Sequence, residues 1–337
     1  MPATPHSPAH RLRALMDLGC VAAPGAFNGL CARAIRDAGF SATYISGAAT
    51  SVCAGVPDVG LLTLEHFCRV IREVVDSAGL PLIADADTGF GEAEMVRRTV
   101  IEYHRAGAAG LHLEDQQFPK RCGHLDGKEL VSTDHMLEKI QWAAKAARDL
   151  GSAPSAPPAP PAPPTHTPLN PTSRLHHIAG APEARLGNTS PMIICARTDA
   201  RGVEGFGSAV ARARQYVDAG AEMIFPEGLA TADEFATFAA ALRAGLKPGH
   251  RVYLLANMTE FGKTPLIPLN EFARLGYDYV IYPVSLLRTA MGAVTRALKQ
   301  LKNEGSVAGF LDQMQTRKDL YTLVGYEPGT PWEFPAR

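Results

Sequence analysis

Residues 80–116 read LPLIADADTGFGEAEMVRRTVIEYHRAGAAGLHLEDQ and hold two short apolar runs on either side of a longer segment with helical spacing. The runs LPLIADADTG and AAGLHLEDQ are nearly continuous in apolar side chains before they end in polar residues, which is typical of parallel strands buried on both faces. The segment between them stops at Gly107, and a glycine in the left-handed conformation commonly ends a helix. This stretch therefore predicts one strand–helix–strand unit of a parallel sheet.

The same alternation continues in both directions along the chain. Eight apolar runs alternate with helical segments, and four more helical segments stop at a glycine, at Gly39, Gly79, Gly220 and Gly276. The other predicted strands are VAAPGAFN, SATYISGA, PMIICARTDA, AEMIFPEG, RVYLLANMTE and YDYVIYPVS. Eight units is the number that closes a TIM-type (β/α)8 barrel, so we predict an α/β protein of this class. An open, doubly wound sheet is the alternative, but no G-x-G-x-x-G motif follows the first strand to support it.

Two segments fall outside the repeating pattern. Residues 151–190 contain ten of the 26 prolines and three charged side chains, which predicts a disordered, proline-rich insertion in a helix-to-strand connection. Residues 286–326 add two helices, at about 286–303 and 306–324, that a barrel does not need. We therefore predict a single barrel domain over residues 1–337, with the insertion inside it and C-terminal helices that pack on a neighbouring subunit.

The composition excludes several classes of protein. The chain has 337 residues, 46% of them hydrophobic, and a formal net charge of −1, so no basic field is present for a nucleic acid or a membrane surface. No stretch approaches the roughly 20 apolar residues of a spanning helix. The six cysteines lack C-x-x-C spacing, and the first residues lack the apolar core of a secretory signal. We expect reduced thiols and a cytoplasmic location, with the mitochondrial matrix as the alternative in a eukaryote.

Acidic side chains end two neighbouring predicted strands, at the edge where barrels of this class carry their chemistry. Asp85 and Asp87 end the third strand, and an i, i+2 spacing places two carboxylates on the same side of an extended chain. Glu114 ends the fourth strand. Hard oxygen donors at one edge suit Mg²⁺ held partly through water. The alternative is that these acids only cap the helices that follow.

Polar residues also end the next three strands. Arg197 and Asp199 end the fifth, where the guanidinium either pairs with Asp199 or holds a substrate carboxylate. Glu227 ends the sixth strand, and Asn257 and Thr259 end the seventh. Each residue alone is compatible with a simple hydrogen bond at the barrel rim. Their concentration at one end of five consecutive strands indicates a binding site.

The segment KRCGHLDGK, residues 120–128, directly follows the fourth predicted strand. Cys122 lies between the basic residues Lys120 and Arg121 on one side and His124 on the other. Positive neighbours lower a thiol pKa, so we expect Cys122 to be a nucleophile or a proton donor. The loop from 117 to 131 is also long enough to act as a lid.

Taken together, these segments resemble the isocitrate lyase and phosphoenolpyruvate mutase superfamily, from about Ser7 to Tyr326 with the insertion as an interruption. The segments that carry the resemblance are PGAFN, YISGA, GVPDVG, DADTGFG, GLHLEDQ, KRCGHLDGK, ARTDA, FPEG, ANMTEFGKTP, YPVSLLR and MQTRKDLY. The last four of them favour the methylisocitrate-cleaving branch of the superfamily. The proline-rich insertion has no counterpart in the family pattern.

The resemblance implies a role for each matching residue. Asp85 and Asp87 match a Mg²⁺ site, with Glu114 supporting its water shell. Cys122 and Gly123 match lid residues that close over the substrate, and Lys120 and His124 match further lid positions. We expect Cys122 to protonate the carbanion, with Lys120 and His124 tuning its thiol. The implied substrate contacts are Ser46, Gly47, Ala48, Gly123, Arg197, Glu227, Asn257, Thr259, Arg288 and Arg317. Ala48 stands where the family usually has a second glycine, so its methyl group narrows the approach to the backbone.

The implied reaction is the Mg²⁺-dependent cleavage of a tricarboxylate, (2S,3R)-2-methylisocitrate, to pyruvate and succinate in the methylcitrate cycle of propionate catabolism. Tyr44 and a metal-bound water are both candidates for the base. The implied assembly is a homotetramer with swapped C-terminal helices, without nucleic acid or membrane partners. Alternatives are isocitrate, dimethylmalate, oxaloacetate or a phosphonopyruvate as substrate, a non-catalytic relative whose proline-rich arm binds a partner, and a redox sensor built on Cys122.

Overall fold

Eight parallel strands form a barrel in which neighbours in the chain are neighbours in the sheet. The computed structural model describes residues 7–121, 127–152, 190–247, 251–262 and 264–332. The strands are β1 (Val21–Pro24), β2 (Thr43–Ile45), β3 (Leu82–Asp85), β4 (Gly110–Glu114), β5 (Ile193–Thr198), β6 (Met223–Pro226), β7 (Tyr253–Asn257) and β8 (Tyr279–Tyr282). β1 pairs with β8, and a single parallel bridge between Gly25 and Tyr44 joins β1 to β2. The predicted (β/α)8 architecture is confirmed.

The helices form an outer layer around the strands. They are α1 (Pro8–Leu18), α2 (Gly29–Asp37), α3 (Gly47–Cys53), α4 (Leu64–Ala78), α5 (Ala93–Ala106), α6 (Thr133–Ser152), α7 (Ala200–Val203), α8 (Phe206–Asp218), α9 (Ala232–Ala244), α10 (Leu269–Leu275), α11 (Ser285–Glu304) and α12 (Arg317–Val324). Among the described residues, no helix combines the length and apolar character needed to cross a bilayer.

α4 shows how local sequence determines these helices. The side chain of Thr63 accepts a hydrogen bond from the backbone N–H of His66 and so caps the first turn. Gly79 ends the helix at φ 65°, a conformation that costs little only for glycine. Between the caps, apolar side chains at helical spacing are buried against the sheet, and Phe67 and Ile71 are fully covered. The five glycines that were predicted to end helices all have positive φ.

The core has two layers, one inside the barrel and one between the strands and the helices. α1, which the sequence analysis did not predict, closes the amino-terminal end of the barrel with Leu12 and Met16. Arg13 of α1 is also buried there, and its Nη2 lies 2.8 Å from Oε2 of Glu222, just before β6. Because side chains fill this end, the active site is expected at the opposite end of the barrel.

The C-terminal region differs in part from its prediction. α11 confirms the first of the two predicted helices, but the predicted helix at 306–324 is wrong. A short 3-10 helix, Ala308–Gln313, is separated from α12 by non-helical backbone. The physical reason is a capping box, in which Thr316 and Asp319 satisfy each other's backbone N–H groups and start a new helix. Most of the predicted proline-rich insertion, residues 153–189, lies outside the described residues.

Candidate active site

The acidic pair at the end of β3 is held by a tight turn. β3 ends at Asp85, and Asp87 has a positive φ of 46°. The expectation that both residues share an extended strand is therefore wrong, because the chain turns between them. Oδ1 of Asp85 accepts a hydrogen bond from the Asp87 N–H at 2.9 Å, and Oδ2 accepts one from the Gly47 N–H at 3.0 Å. Both carboxylates are buried at the barrel mouth.

A buried lysine faces the same pair. The Nζ of Lys120 lies 2.8 Å from Oδ1 of Asp87 and also contacts the carboxylate of Asp58. Burial disfavours the ammonium of Lys120, but the surrounding carboxylates, led by Glu114, raise its pKa above its ordinary value. Burial and the charge of Asp85 raise the pKa of Asp87 to about 6. Lys120 is thus suited to hold carboxylates as a permanent cation and poorly suited to donate a proton.

Arg197 is the centre of a second cluster on the neighbouring strands. Its Nε and Nη2 donate to the two carboxylate oxygens of Asp199 at 2.9 and 3.2 Å, so the pairing alternative of the sequence analysis is realised. Nη1 lies 3.3 Å from Oε2 of Glu114, and Nη2 lies 3.5 Å from Oε2 of Glu227. Lys128, near the end of the 117–131 loop, donates to Asp199 at 2.7 Å. The guanidinium therefore binds carboxylates on three consecutive strands, β4 to β6.

His112 is a site residue that the sequence analysis missed. It lies beside Asp85 in the β3–β4 register, and its Nε2 is 2.8 Å from the hydroxyl of Tyr44 and 3.7 Å from Oδ1 of Asp85. Burial lowers the pKa of His112 to about 4 and raises that of Tyr44 well above its ordinary value, so both side chains are neutral. The spacing of His112 and Glu114, two residues apart on one strand, is the signal that identifies His112 as a mouth residue.

Mg²⁺ fits the residues at the mouth. A Cβ on Gly47 would lie 2.6 Å from Oδ2 of Asp85 and 3.2 Å from Oδ1 of Asp87, so glycine keeps the space beside both carboxylates open. Oε1 of Glu114 is buried and has no hydrogen-bond partner among the described residues. In that part of the chain, no three His, Cys, Asp or Glu side chains are grouped to share one ion. Two carboxylates with water as the remaining ligands match the coordination that Mg²⁺ prefers.

Four other predicted substrate contacts lie at the mouth of the barrel. Ser46 is buried and caps α3 by accepting from the Ala49 N–H, and Ala48 is half-buried in the first turn of that helix. The Nδ2 of Asn257 donates to Oε2 of Glu227 at 3.2 Å, and Thr259 is buried two residues after β7.

Two predicted contacts lie in the C-terminal helices. Nη1 of Arg288, in α11, donates to the carbonyl of Glu260 at 2.5 Å and lies 3.1 Å from its Oε2. Arg317 is exposed at the start of α12, and no hydrogen bond or ion pair joins it to the mouth within the described residues. Cys122, Gly123 and His124 lie outside the described residues, and their roles stay predictions.

Comparisons with known proteins point to one group of enzymes. A family model described as phosphoenolpyruvate phosphomutase matches residues 12–153 and 163–302. A probable 2-methylisocitrate lyase of Corynebacterium glutamicum is 44% identical over 303 residues, covering 90% of this chain and 83% of the relative. The 2-methylisocitrate lyase of Aeropyrum pernix is 40% identical over 306 residues, covering 91% of this chain and 83% of the relative. The crystal structure of 2,3-dimethylmalate lyase, a member of the PEP mutase/isocitrate lyase superfamily, matches with a TM-score of 0.77 and 32% identity, covering 95% of this chain and 92% of the other.

Proposed function

The chain belongs to the phosphoenolpyruvate mutase and isocitrate lyase superfamily and is a carbon–carbon lyase, and on that premise we propose that it cleaves (2S,3R)-2-methylisocitrate to pyruvate and succinate with the aid of Mg²⁺. The observation that carries this proposal is the buried pair of Asp85 and Asp87 at the barrel mouth, beside the cluster around Arg197. The named lyases among its relatives support the choice of substrate. We place the reaction in the methylcitrate cycle of propionate catabolism and in the cytoplasm, in a single barrel domain.

The reaction breaks the bond between C2 and C3 of the substrate. The proton of the 2-hydroxyl leaves, the C2 oxygen becomes the keto group of pyruvate, and the electron pair of the broken bond remains on C3. A proton then adds to C3 and gives succinate. When bound, Mg²⁺ supplies a Lewis acid that lowers the pKa of the 2-hydroxyl and binds the neighbouring carboxylate. Asp85 and Asp87 would hold it, with Glu114 binding its water shell.

The contacts of Tyr44 favour it as the group that removes the hydroxyl proton. Its raised pKa disfavours a free phenolate, so Tyr44 can take the substrate proton only if it passes its own proton on. The Nε2 of the neutral His112 lies 2.8 Å from the Tyr44 hydroxyl, and the Asp85 carboxylate, 3.7 Å from the same nitrogen, favours the imidazolium that forms when His112 accepts this proton. The proton of Tyr44 can therefore move to His112 along this hydrogen bond.

The charge that develops on C3 needs fixed donors. It spreads into the carboxylate on C3, and donors that are already oriented stabilise it most because they need not reorganise. Asn257, at the end of β7, and Thr259, two residues later, contribute amide and hydroxyl groups. Arg197 of β5 stays paired with Asp199 through Nε and Nη2 and contributes its Nη1. Arg288 holds the segment after β7 through Glu260, so its proposed effect on the substrate acts partly through that segment.

We propose that Cys122 protonates C3 while His124 and the positive charge of Lys120 tune its thiol. Cys122→Ser should retain binding of Mg²⁺ and substrate while kcat falls about 10²- to 10⁴-fold, the usual contribution of a positioned acid. Turnover is followed by pyruvate release coupled to lactate dehydrogenase, and binding by calorimetry. Cys20→Ser, at the opposite end of the barrel, is the control and should keep normal turnover. Near-normal turnover of the Cys122 variant would remove this residue from the acid role.

The experiment that tests the function compares three substrates with and without Mg²⁺. Lactate dehydrogenase reduces both the pyruvate from methylisocitrate or dimethylmalate and the glyoxylate from isocitrate, so one coupled assay serves all three. One methyl group is worth about 1–3 kcal/mol, so kcat/KM for methylisocitrate should exceed that for isocitrate by roughly 10- to 200-fold. We propose that Phe225, whose ring packs against His112, provides the apolar surface for this methyl. A higher kcat/KM for isocitrate, or activity that persists in EDTA, would contradict the proposal.

Cleavage of 2,3-dimethylmalate is the second candidate, because a lyase with that substrate shares the fold at a TM-score of 0.77. It is distinguished in the same assay by a kcat/KM that is highest for dimethylmalate. The retained buried carboxylates argue against a non-catalytic relative, since an unused site gains nothing from the cost of burying them.

We also propose that the chain forms a homotetramer through its C-terminal helices. Met291, Val294, Leu298 and Leu301 of α11 are all exposed and recur at the three- and four-residue spacing of a single helix face. A second copy of this chain, with its C-terminal helices swapped, is the proposed occupant of this face. Leu298→Glu should therefore convert a tetramer to smaller species in sedimentation measurements, whereas Lys299→Glu on the same helix should not. A tetramer unaffected by the Leu298 change would contradict the proposed interface.

A further inference from the structure

The turn that carries both metal-site aspartates has a backbone conformation that needs support. We call residues 85–89 the aspartate turn. Within it, Asp87 has a φ of 46° and Gly89 a φ of 98°. Positive φ is uncommon for residues other than glycine, and it persists where the surrounding structure holds it in place. The position of the Asp87 carboxylate therefore depends on contacts made to the backbone of this turn.

Two buried side chains from the outer helices make such contacts. The hydroxyl of Tyr103, in α5, donates to the carbonyl oxygen of Asp85 at 2.7 Å. The Nζ of Lys139, in α6, donates to the carbonyl oxygen of Thr88 at 3.1 Å. Tyr103 is fully buried and Lys139 is 5% exposed. The two bonds thus fix the backbone on both sides of Asp87, from the side of the sheet that faces away from the barrel interior.

Burial of the Lys139 ammonium group in this space costs free energy. An ammonium group loses much of its hydration when it is buried, and an apolar side chain of similar length would pack without that cost. Among the described residues, no salt bridge within 4 Å includes its Nζ, and the more distant charge of Glu92 only partly offsets the burial that lowers the pKa of Lys139. The lysine also gains nothing from being near a cation site, because two positive charges repel. In the structure, its hydrogen bond to the carbonyl of Thr88 holds the turn.

We infer that Tyr103 and Lys139 are positioning residues for the divalent cation, holding the aspartate turn so that the carboxylates of Asp85 and Asp87 face the same ion. This inference rests on the cation site of the proposed function, but not on the identity of the substrate. Side chains that orient metal ligands typically change metal affinity by about 10- to 100-fold when they are removed. The effect should be seen in metal binding itself, before any substrate is added.

The test measures Mn²⁺ binding to the whole protein without substrate, by calorimetry and by electron paramagnetic resonance. Tyr103→Phe removes one oxygen and should weaken Mn²⁺ binding about 10- to 100-fold. Lys139→Met should weaken it by a similar factor, whereas Lys139→Arg, which keeps a donor, should largely restore it. Loss of a nearby positive charge alone would tighten cation binding, so weaker binding in a folded Lys139→Met protein indicates the lost contact and not the lost charge.

The matched control is Tyr279→Phe. Tyr279 is also fully buried, and its hydroxyl also donates to a backbone carbonyl at 2.7 Å, that of Thr43, but at the first residues of β8 and β2. Mn²⁺ affinity within about twofold of wild type is expected for this control, while melting temperatures in EDTA report any general loss of stability. The inference is overturned if Tyr103→Phe binds Mn²⁺ like the wild type, if Tyr279→Phe weakens binding equally, or if the wild type binds no Mn²⁺.

Different results would refute the proposed function and the positioning roles of Tyr103 and Lys139. A wild-type protein that binds Mn²⁺ tightly but leaves methylisocitrate intact would refute the proposed function and leave the positioning roles standing. Should Lys139→Met fail to fold, Tyr103→Phe decides the question alone, because it preserves the shape and the apolar contacts of the ring.

Discussion

Asp85→Asn is expected to abolish divalent-cation binding and to lower turnover at least about 10³-fold. Both oxygens of Asp85 accept backbone N–H bonds, from Gly47 and Asp87, and an amide can accept at only one of them. The substitution also removes one of two carboxylate charges available to the ion. Since a metal contributes several kcal/mol to stabilising developing charge, its loss corresponds to three or more orders of magnitude in rate.

This expectation is checked by Mn²⁺ calorimetry and by the oxo-acid release assay on the same preparation. Asp149→Asn is the control, because Asp149 is an exposed aspartate paired with Lys145 on the surface of α6. The control should retain both metal binding and turnover. An Asp85→Asn protein that still binds Mn²⁺ with wild-type affinity would show that the ion is held elsewhere.

Arg197→Met is expected to destabilise the fold by about 3–5 kcal/mol, the usual cost of removing one partner from buried charges. The substitution leaves Asp199, Glu114 and Glu227 buried without the cation they share. Arg197 is the largest influence lowering the pKa of both Glu114 and Asp199 against their burial. Without it, the folded-state pKa values of both carboxyl groups rise, that of Glu114 from above its ordinary value and that of Asp199 from below it.

The sign of the pH dependence follows from that rise. A carboxyl group whose pKa is higher in the folded than in the unfolded state binds more protons when folded, so it stabilises the fold as the pH falls. The stability deficit of Arg197→Met should therefore be smaller at pH 5.5 than at pH 8, as measured by urea unfolding at both values. Arg274→Met, which removes an exposed partner of Glu271, should change stability little at either pH. An equal deficit at the two pH values would contradict the proposed charge cluster.

Much of the barrel can be predicted from the sequence, because the patterns that indicate its strands and helices extend over only a few residues. Apolar runs mark the strands, and glycines that end helices, such as Gly79 and Gly107, adopt the positive φ their positions require. The helix prediction failed at 306–324, where the backbone leaves the helical conformation at Phe310 and the Thr316 capping box decides where α12 begins. The acidic residues and the arginine at the strand ends can also be predicted, since strand direction alone places them at the mouth.

The sequence by itself determined the eight strand–helix units, their caps and the set of polar residues at the open end, because these depend on contacts within a few residues. Only the tertiary structure decided which of those residues meet. Tyr44 and His112 are 68 residues apart and bond only because β2 and β4 pair with the two sides of β3 in the curved sheet. The turn at Asp87 likewise depends on packing. The sequence offered Asp199 as one of two possible partners of Arg197, and charge compensation in a buried space decided between them.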